Sequence, residues 1–220
     1  MTDNDKKTTN PDKEYFGDYP RSFRIQVHQL IAWGYEDARQ LIKSNNEQET
    51  AITGFIAEAI EDRLVANCTS WFNHYSVKDD PPIRKRGSSG RSRPRTDLVI
   101  QANFMGRPEY IFEAKRLRRN GYGADKYIGS EGMGRFVSGL YASKYDEAGM
   151  LGYVQSDSLV HWQGKVKAAI DSNSYPLCLK STQHDEAVID YFPLEWVSKH
   201  DRASLGRSID VSHILLDCCI

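Results

Sequence analysis

The sequence predicts an α/β protein in which helices pack on a mixed β-sheet, and three stretches carry that prediction. Residues 46–66 repeat apolar side chains at helical spacing. Residues 96–102 and 109–117 are β-branched and apolar, and Met-Gly-Arg-Pro lies between them, so they read as a hairpin with a loop of about six residues. Residues 158–171 return to helical spacing and lead into strand-like segments. A chain of 220 residues fits one domain, placed at 15–220 with a core over 46–175 and C-terminal strands over 176–216.

Residues 1–14 are charged and poor in apolar side chains, and read as a disordered tail without the apolar core of a secretory signal. Residues 15–45 carry Phe23, Val27, Leu30, Ile31, Trp33, Ala38 and Leu41 at loose helical spacing, which predicts one or two short helices broken near Gly34. In the next helix Asn45 or Asn46 is the expected cap, with Glu47 and Glu49 in the first turn, where carboxylates are favoured. Ile52, Ile56 and Ile60 form its apolar stripe. Glu49 projects into that stripe, where a carboxylate costs several kcal/mol unless it is paired, whereas Glu58 and Glu61 project away. Residues 78–95 read as a loop, because prolines, glycines and serines interrupt any period. The loop gathers Arg84, Lys85, Arg86, Arg91, Arg93 and Arg95 just before Asp97. After the hairpin come a glycine-rich stretch over 120–134, a helix over 133–148, a short buried strand over 149–155, a helix over 158–171, and strands at 176–181, 188–197 and 209–216.

Net charge is −1, so the whole molecule makes no case for a polyanionic partner and only local charge does. No apolar run approaches the roughly 18 to 20 residues needed to cross a bilayer. Cys68, Cys178, Cys218 and Cys219 form no C-x-x-C pair, and the six histidines show no zinc-hydrolase spacing. Reduced core cysteines of a cytoplasmic protein and structural histidines are the expectation. The glycine-rich stretch lacks the Gly-Lys-Ser/Thr ending of a nucleotide-binding loop.

One constellation points to chemistry. Strand side chains alternate, so Glu113 and Lys115 share a face with Ile111, and Ala114 lies opposite. The hairpin brings Asp97 back beside them. Two carboxylates suit a hard cation such as Mg²⁺, and the Ala114 carbonyl adds a further oxygen. A lysine beside the metal would orient or deprotonate a water, or stabilise charge on a phosphate. The basic loop, Arg118 and Arg119 would contact phosphates, and Arg135 would do so at the start of a helix. Gln155 is a further candidate for substrate contact.

Asp97 on one strand and Glu113-Ala114-Lys115 on the next, preceded by a helix with an inward Glu49, resemble the PD-(D/E)XK nuclease superfamily over about residues 46–155. Thr96 stands where that motif often has proline. The resemblance implies a restriction-endonuclease-like fold, dependence on Mg²⁺ with Mn²⁺ as a substitute, and cleavage of nucleic acid, most often DNA. It assigns Asp97 and Glu113 to the metal, Lys115 to catalysis and Glu49 to the helix glutamate. It also implies a cytoplasmic role in restriction or anti-phage defence. No sequence-reading module accompanies the motif, so specificity would come from a homodimer or from a partner ATPase or sensor protein. Nothing in the sequence separates DNA from RNA, and a non-catalytic binding or scaffolding module of the same fold is the competing reading.

Overall fold

The computed structural model describes residues 21–66, 71–83, 93–103 and 106–220. Seven strands form one mixed sheet: β1 (Tyr75–Asp79), β2 (Leu98–Ala102), β3 (Glu109–Leu117), β4 (Glu147–Val154), β5 (His184–Asp185), β6 (Trp196–Arg202) and β7 (Arg207–Asp217). Their order is β1-β2-β3-β4-β7-β6-β5. The outer pairs are antiparallel, while β3/β4 and β4/β7 are parallel. Parallel neighbours need long crossovers, and these carry the helices. Central β4 is buried on both faces after its first residue, as a parallel strand between two layers must be.

Helices α1 (Arg21–Ala38) and α2 (Glu49–Ala66) cover one face, where Ile52, Ile56 and Ile60 meet Leu98, Ile100, Phe112 and Leu151. Helices α3 (Ala124–Ile128), α4 (Gly134–Val137) and α5 (Leu159–Ser172) cover the other face with Tyr127, Phe136, Trp162 and Val166. Ser158 caps α5, its hydroxyl accepting the His161 N–H at 3.2 Å. No described helix is long and apolar enough to cross a membrane.

Several expectations need correction. Gly34 does not break α1, which runs straight through it. It is instead the contact with α2, where a Cβ would lie 2.5 Å from Ile60 Cγ1 and 2.8 Å from the Ile56 carbonyl oxygen. The carbonyl cannot yield, so Gly34→Ala is expected to cost about 2 kcal/mol despite its better helix propensity, read as a fall of several degrees in Tm. An unchanged Tm would refute this packing. Residues 78 and 79 are not loop but the end of β1, paired with β2. Residues 138–146 are turns rather than helix, because the left-handed conformations of Gly139 and Ala142 end α4 after one turn. Buried Arg202 then holds the carbonyls of Ala142 and Tyr145 at 2.9 and 2.6 Å. Residues 176–181 form turns with a single bridge, Leu179 to His200. β6 starts only at Trp196, since Pro193 lacks the N–H that a ladder requires. Cys218 is buried, but Cys178 is exposed and Cys219 is half-buried. Cys68 lies outside the described residues.

Candidate active site

The site arises because β3 outlasts its neighbour. The β2/β3 ladder ends at the pair Leu98 and Phe112, whereas the β3/β4 ladder continues to Leu117. Backbone N–H groups on the outer edge of β3 are therefore left without strand partners, and two carboxylates take them. Asp97, one residue before β2, accepts the Ala114 N–H on Oδ2 at 2.6 Å. Glu49, in the first turn of α2, accepts the Arg116 N–H on Oε2 at 3.1 Å. Thr53 fixes that turn in place: its hydroxyl donates to the Glu49 carbonyl at 2.9 Å and meets the Tyr153 hydroxyl of β4 at 2.8 Å.

Lys115 sits at the centre. Its Nζ lies 2.8 Å from Glu113 Oε1, 3.0 Å from Glu49 Oε1 and 3.9 Å from Asp97 Oδ2, and it donates to the Ala114 carbonyl at 2.6 Å. Glu113 is 2% exposed, and its Oε2 is buried with no hydrogen-bond donor in reach. The four side chains predicted to converge thus do so, together with the predicted carbonyl. Arg135 also reaches the site, with Nε 4.0 Å from Glu113 Oε1.

The electrostatics follow from crowding. Burial, with the Asp97 charge adding to it, pushes the Glu113 carboxyl up to about 8 against the pull of Lys115 and Arg135. Burial also raises Asp97, opposed by Lys115 and the Ala114 N–H. For Lys115, burial works downward, but Glu113, Glu49 and Asp97 outweigh it and hold the ammonium above the usual lysine value. Among the described residues, no three His, Cys, Asp or Glu side chains converge tightly enough to grip a metal ion as they stand. The lysine ammonium lies among the carboxylates. The donor set is nevertheless all oxygen, three carboxyl groups and a carbonyl, and Glu113 Oε2 is an orphaned buried atom, so the residues fit a hard divalent cation once Nζ withdraws and the Glu113 proton leaves.

The predicted phosphate contacts fare unevenly. Arg84, Lys85, Arg86 and Arg91 lie outside the described residues. Arg93 is half-buried, and Arg95 pairs with Asp80 at 2.7 Å. Arg119 is mostly exposed and pairs with Asp157. Arg135 does not serve a helix N-terminus, because α4 is only four residues long. Its guanidinium turns inward to Glu131, the Tyr141 hydroxyl and Glu113. Gln155 is 1% exposed, and its amide donates to the Glu47 carbonyl at 2.8 Å, bracing the entry to α2 rather than facing a substrate. The buried histidines form structural contacts elsewhere: His28 with Glu195, and His200 and His213 on either side of Ser198.

Sequence reasoning missed Thr53 and Tyr141, and set Tyr153 on a strand neighbouring the site without its bond to Thr53. The Tyr141 hydroxyl joins Arg135 to the Arg95 carbonyl, and only the turn at 138–146 brings it there, which no periodicity announces. Comparison with known family models, curated proteins and solved structures finds no match to the chain, so the reading of this site rests on the motif and on its geometry.

Proposed function

We propose that the protein is a metal-dependent endonuclease with a restriction-endonuclease-like core, cleaving phosphodiester bonds of DNA. The observation that carries this reading is the convergence of Asp97, Glu113, Glu49, Lys115 and the Ala114 carbonyl at the open edge of β3.

Asp97, Glu113 and the Ala114 carbonyl would hold Mg²⁺. The bound ion supplies a water of lowered pKa and neutralises charge gathering on the phosphate. Lys115 is a cation at neutral pH among these carboxylates, so it acts as a donor rather than a base. It orients the attacking water and supports the phosphate oxygens as their charge grows. Glu49 fixes the reach of Lys115 and pins the edge of β3 through the Arg116 N–H. Arg135 lies close enough to Glu113 to offset the negative charge of the centre. The groove between α2 and β1, about 530 Å³, is a poor bed for a polyanion because exposed Glu58, Glu61 and Asp79 line it. In this reading substrate approaches instead along the open β3 edge, where the cluster lies. A role in restriction or anti-phage defence, in the cytoplasm and with a second copy or a partner ATPase or sensor supplying specificity, follows from this reading.

The test is incubation of supercoiled plasmid, single-stranded DNA and RNA with purified protein in Mg²⁺, Mn²⁺ or EDTA. Cleavage of DNA that EDTA abolishes is expected. Cleavage of RNA alone would move the substrate. Cleavage indifferent to EDTA would remove the metal from the proposal.

A further inference from the structure

Two arginines beside the site lack the carboxylate partners that Arg24, Arg202 and Arg207 have. Arg116 is 8% exposed, yet its Nε is buried without a hydrogen-bond partner, and its one side-chain contact to a protein oxygen is a long 3.4 Å to the Glu47 carbonyl. Arg118 Nε is likewise buried and unpartnered. Among the described residues, no carboxylate lies within salt-bridge distance of either guanidinium, whereas the partly or fully buried Arg24, Arg202 and Arg207 each have one. Both stand against Tyr122, with guanidinium carbons 3.8 and 5.3 Å from the ring centroid. Tyr122 is brought there by a tight turn: Asn120 and Gly121 take positive φ, and the Arg118 N–H bonds the Tyr122 carbonyl at 2.9 Å.

We propose that Arg116, Arg118 and Tyr122 form a subsite for a backbone phosphate of the nucleic acid, adjacent to the phosphate that is cleaved; this rests on the nuclease reading above. Burying a guanidinium without a counter-charge is costly unless a ligand supplies one. The planar fork of arginine matches phosphate oxygens in pairs, and stacking on a ring holds the fork flat while leaving its edge free to donate. The subsite is rigidly tied to the catalytic centre, because the Arg116 N–H is held by Glu49, which also holds Lys115. Arg116 and Arg118 project to the opposite face of β3 from Glu113 and Lys115, so a nucleic-acid strand crossing the open β3 edge at Asp97 and Lys115 would meet them on the far side of that edge. The negative charge of its phosphate would meet the only pair of guanidinium groups on that path without a carboxylate among the described residues.

The test is fluorescence-anisotropy binding of labelled duplex and single-stranded DNA in EDTA over a range of salt concentrations. Arg118→Ala is expected to weaken binding about tenfold and to reduce the log–log salt slope by about one. Arg116→Lys, which keeps the charge and most of the volume but loses the fork, should weaken binding as well. Lys180→Ala, which removes one charge at the distant β6/β7 end, should leave both quantities alone. Unchanged affinity and slope in both arginine variants would overturn the subsite, as would wild-type protein that binds no DNA. Binding with the Arg118 signature but no cleavage would keep the subsite and remove the nuclease. Cleavage with binding indifferent to both variants would do the reverse.

Discussion

Lys115→Ala is expected to reduce DNA cleavage at least about 10²-fold and at the same time to tighten the binding of Mg²⁺. The two effects have one cause. The ammonium lies 2.8 to 3.9 Å from Glu113, Glu49 and Asp97 and donates to the Ala114 carbonyl, so it occupies the centre that a divalent cation would share. In the nuclease reading, removing it takes away the donor to the attacking water and the phosphate, and also an internal competitor for the carboxylates. Asp97→Ala separates the roles, because it deletes a ligand and leaves the competitor. It should lose cleavage and metal binding together, and it should also strip the Ala114 N–H of its acceptor. Calorimetric titration of Mg²⁺ or Mn²⁺ into the three proteins, beside the plasmid assay, decides the matter. Cleavage that survives both substitutions would place the chemistry elsewhere. Weaker metal binding in Lys115→Ala than in wild type would mean that the lysine helps to build the site rather than filling it.

The candidate cluster was legible because strand alternation and hairpin register are local rules. Once 109–117 is a strand, Glu113 and Lys115 must share a face, and a short loop must return Asp97 to their level; the Leu98–Phe112 pairing does this. Glu49 was legible for a different reason: a carboxylate within an apolar stripe demands a partner, and Lys115 is that partner. What failed was set by tertiary contact. Gly34 reads as a breaker in isolation and as a helix-to-helix contact only when Ile56 and Ile60 are facing it. The run 133–148 has helical spacing, but Arg202, sixty residues later than Ala142, claims its carbonyls for a turn. β1 was hidden because its five residues stand at an edge with two of them exposed, and only pairing with β2 makes them a strand. Alternation alone puts Arg116 on the face opposite Lys115, but its burial against Tyr122 depends on the Asn-Gly turn that follows.

Glu113→Gln is expected to make the metal-free protein more stable than wild type at pH 8 while abolishing tight metal binding. The Glu113 carboxyl is pushed up to about 8 in the folded protein, against an ordinary 4.5. Between those values the folded state holds a proton that the unfolded state has released, so stability declines as pH rises through the window. At ~1.4 kcal/mol per unit the full decline approaches about 4 kcal/mol by pH 8, and it is absent below pH 4.5. Burial raises Asp97 in the same sense, and Glu147, the first residue of β4, is pushed to about 7 by burial and adds its own decline. Glu147 is present in both proteins, so the difference between wild type and Glu113→Gln isolates the site. Glutamine keeps the neutral, hydrogen-bonding form at every pH. Chemical denaturation in EDTA should therefore give nearly equal stabilities at pH 4.5 and a gap that widens towards pH 8. Parallel curves would show that Glu113 is ionised throughout. Excess Mg²⁺ should reverse the order, stabilising wild type by about 2.7 kcal/mol at a hundredfold excess over Kd and the variant hardly at all. Because the cation must displace the Glu113 proton, wild-type metal affinity should fall about tenfold for each pH unit below 8. In the metal-dependent reading, the same burial that makes Glu113 a liability in the empty fold leaves Oε2 an acceptor for the cation, so the protein would give up stability at neutral pH to keep it.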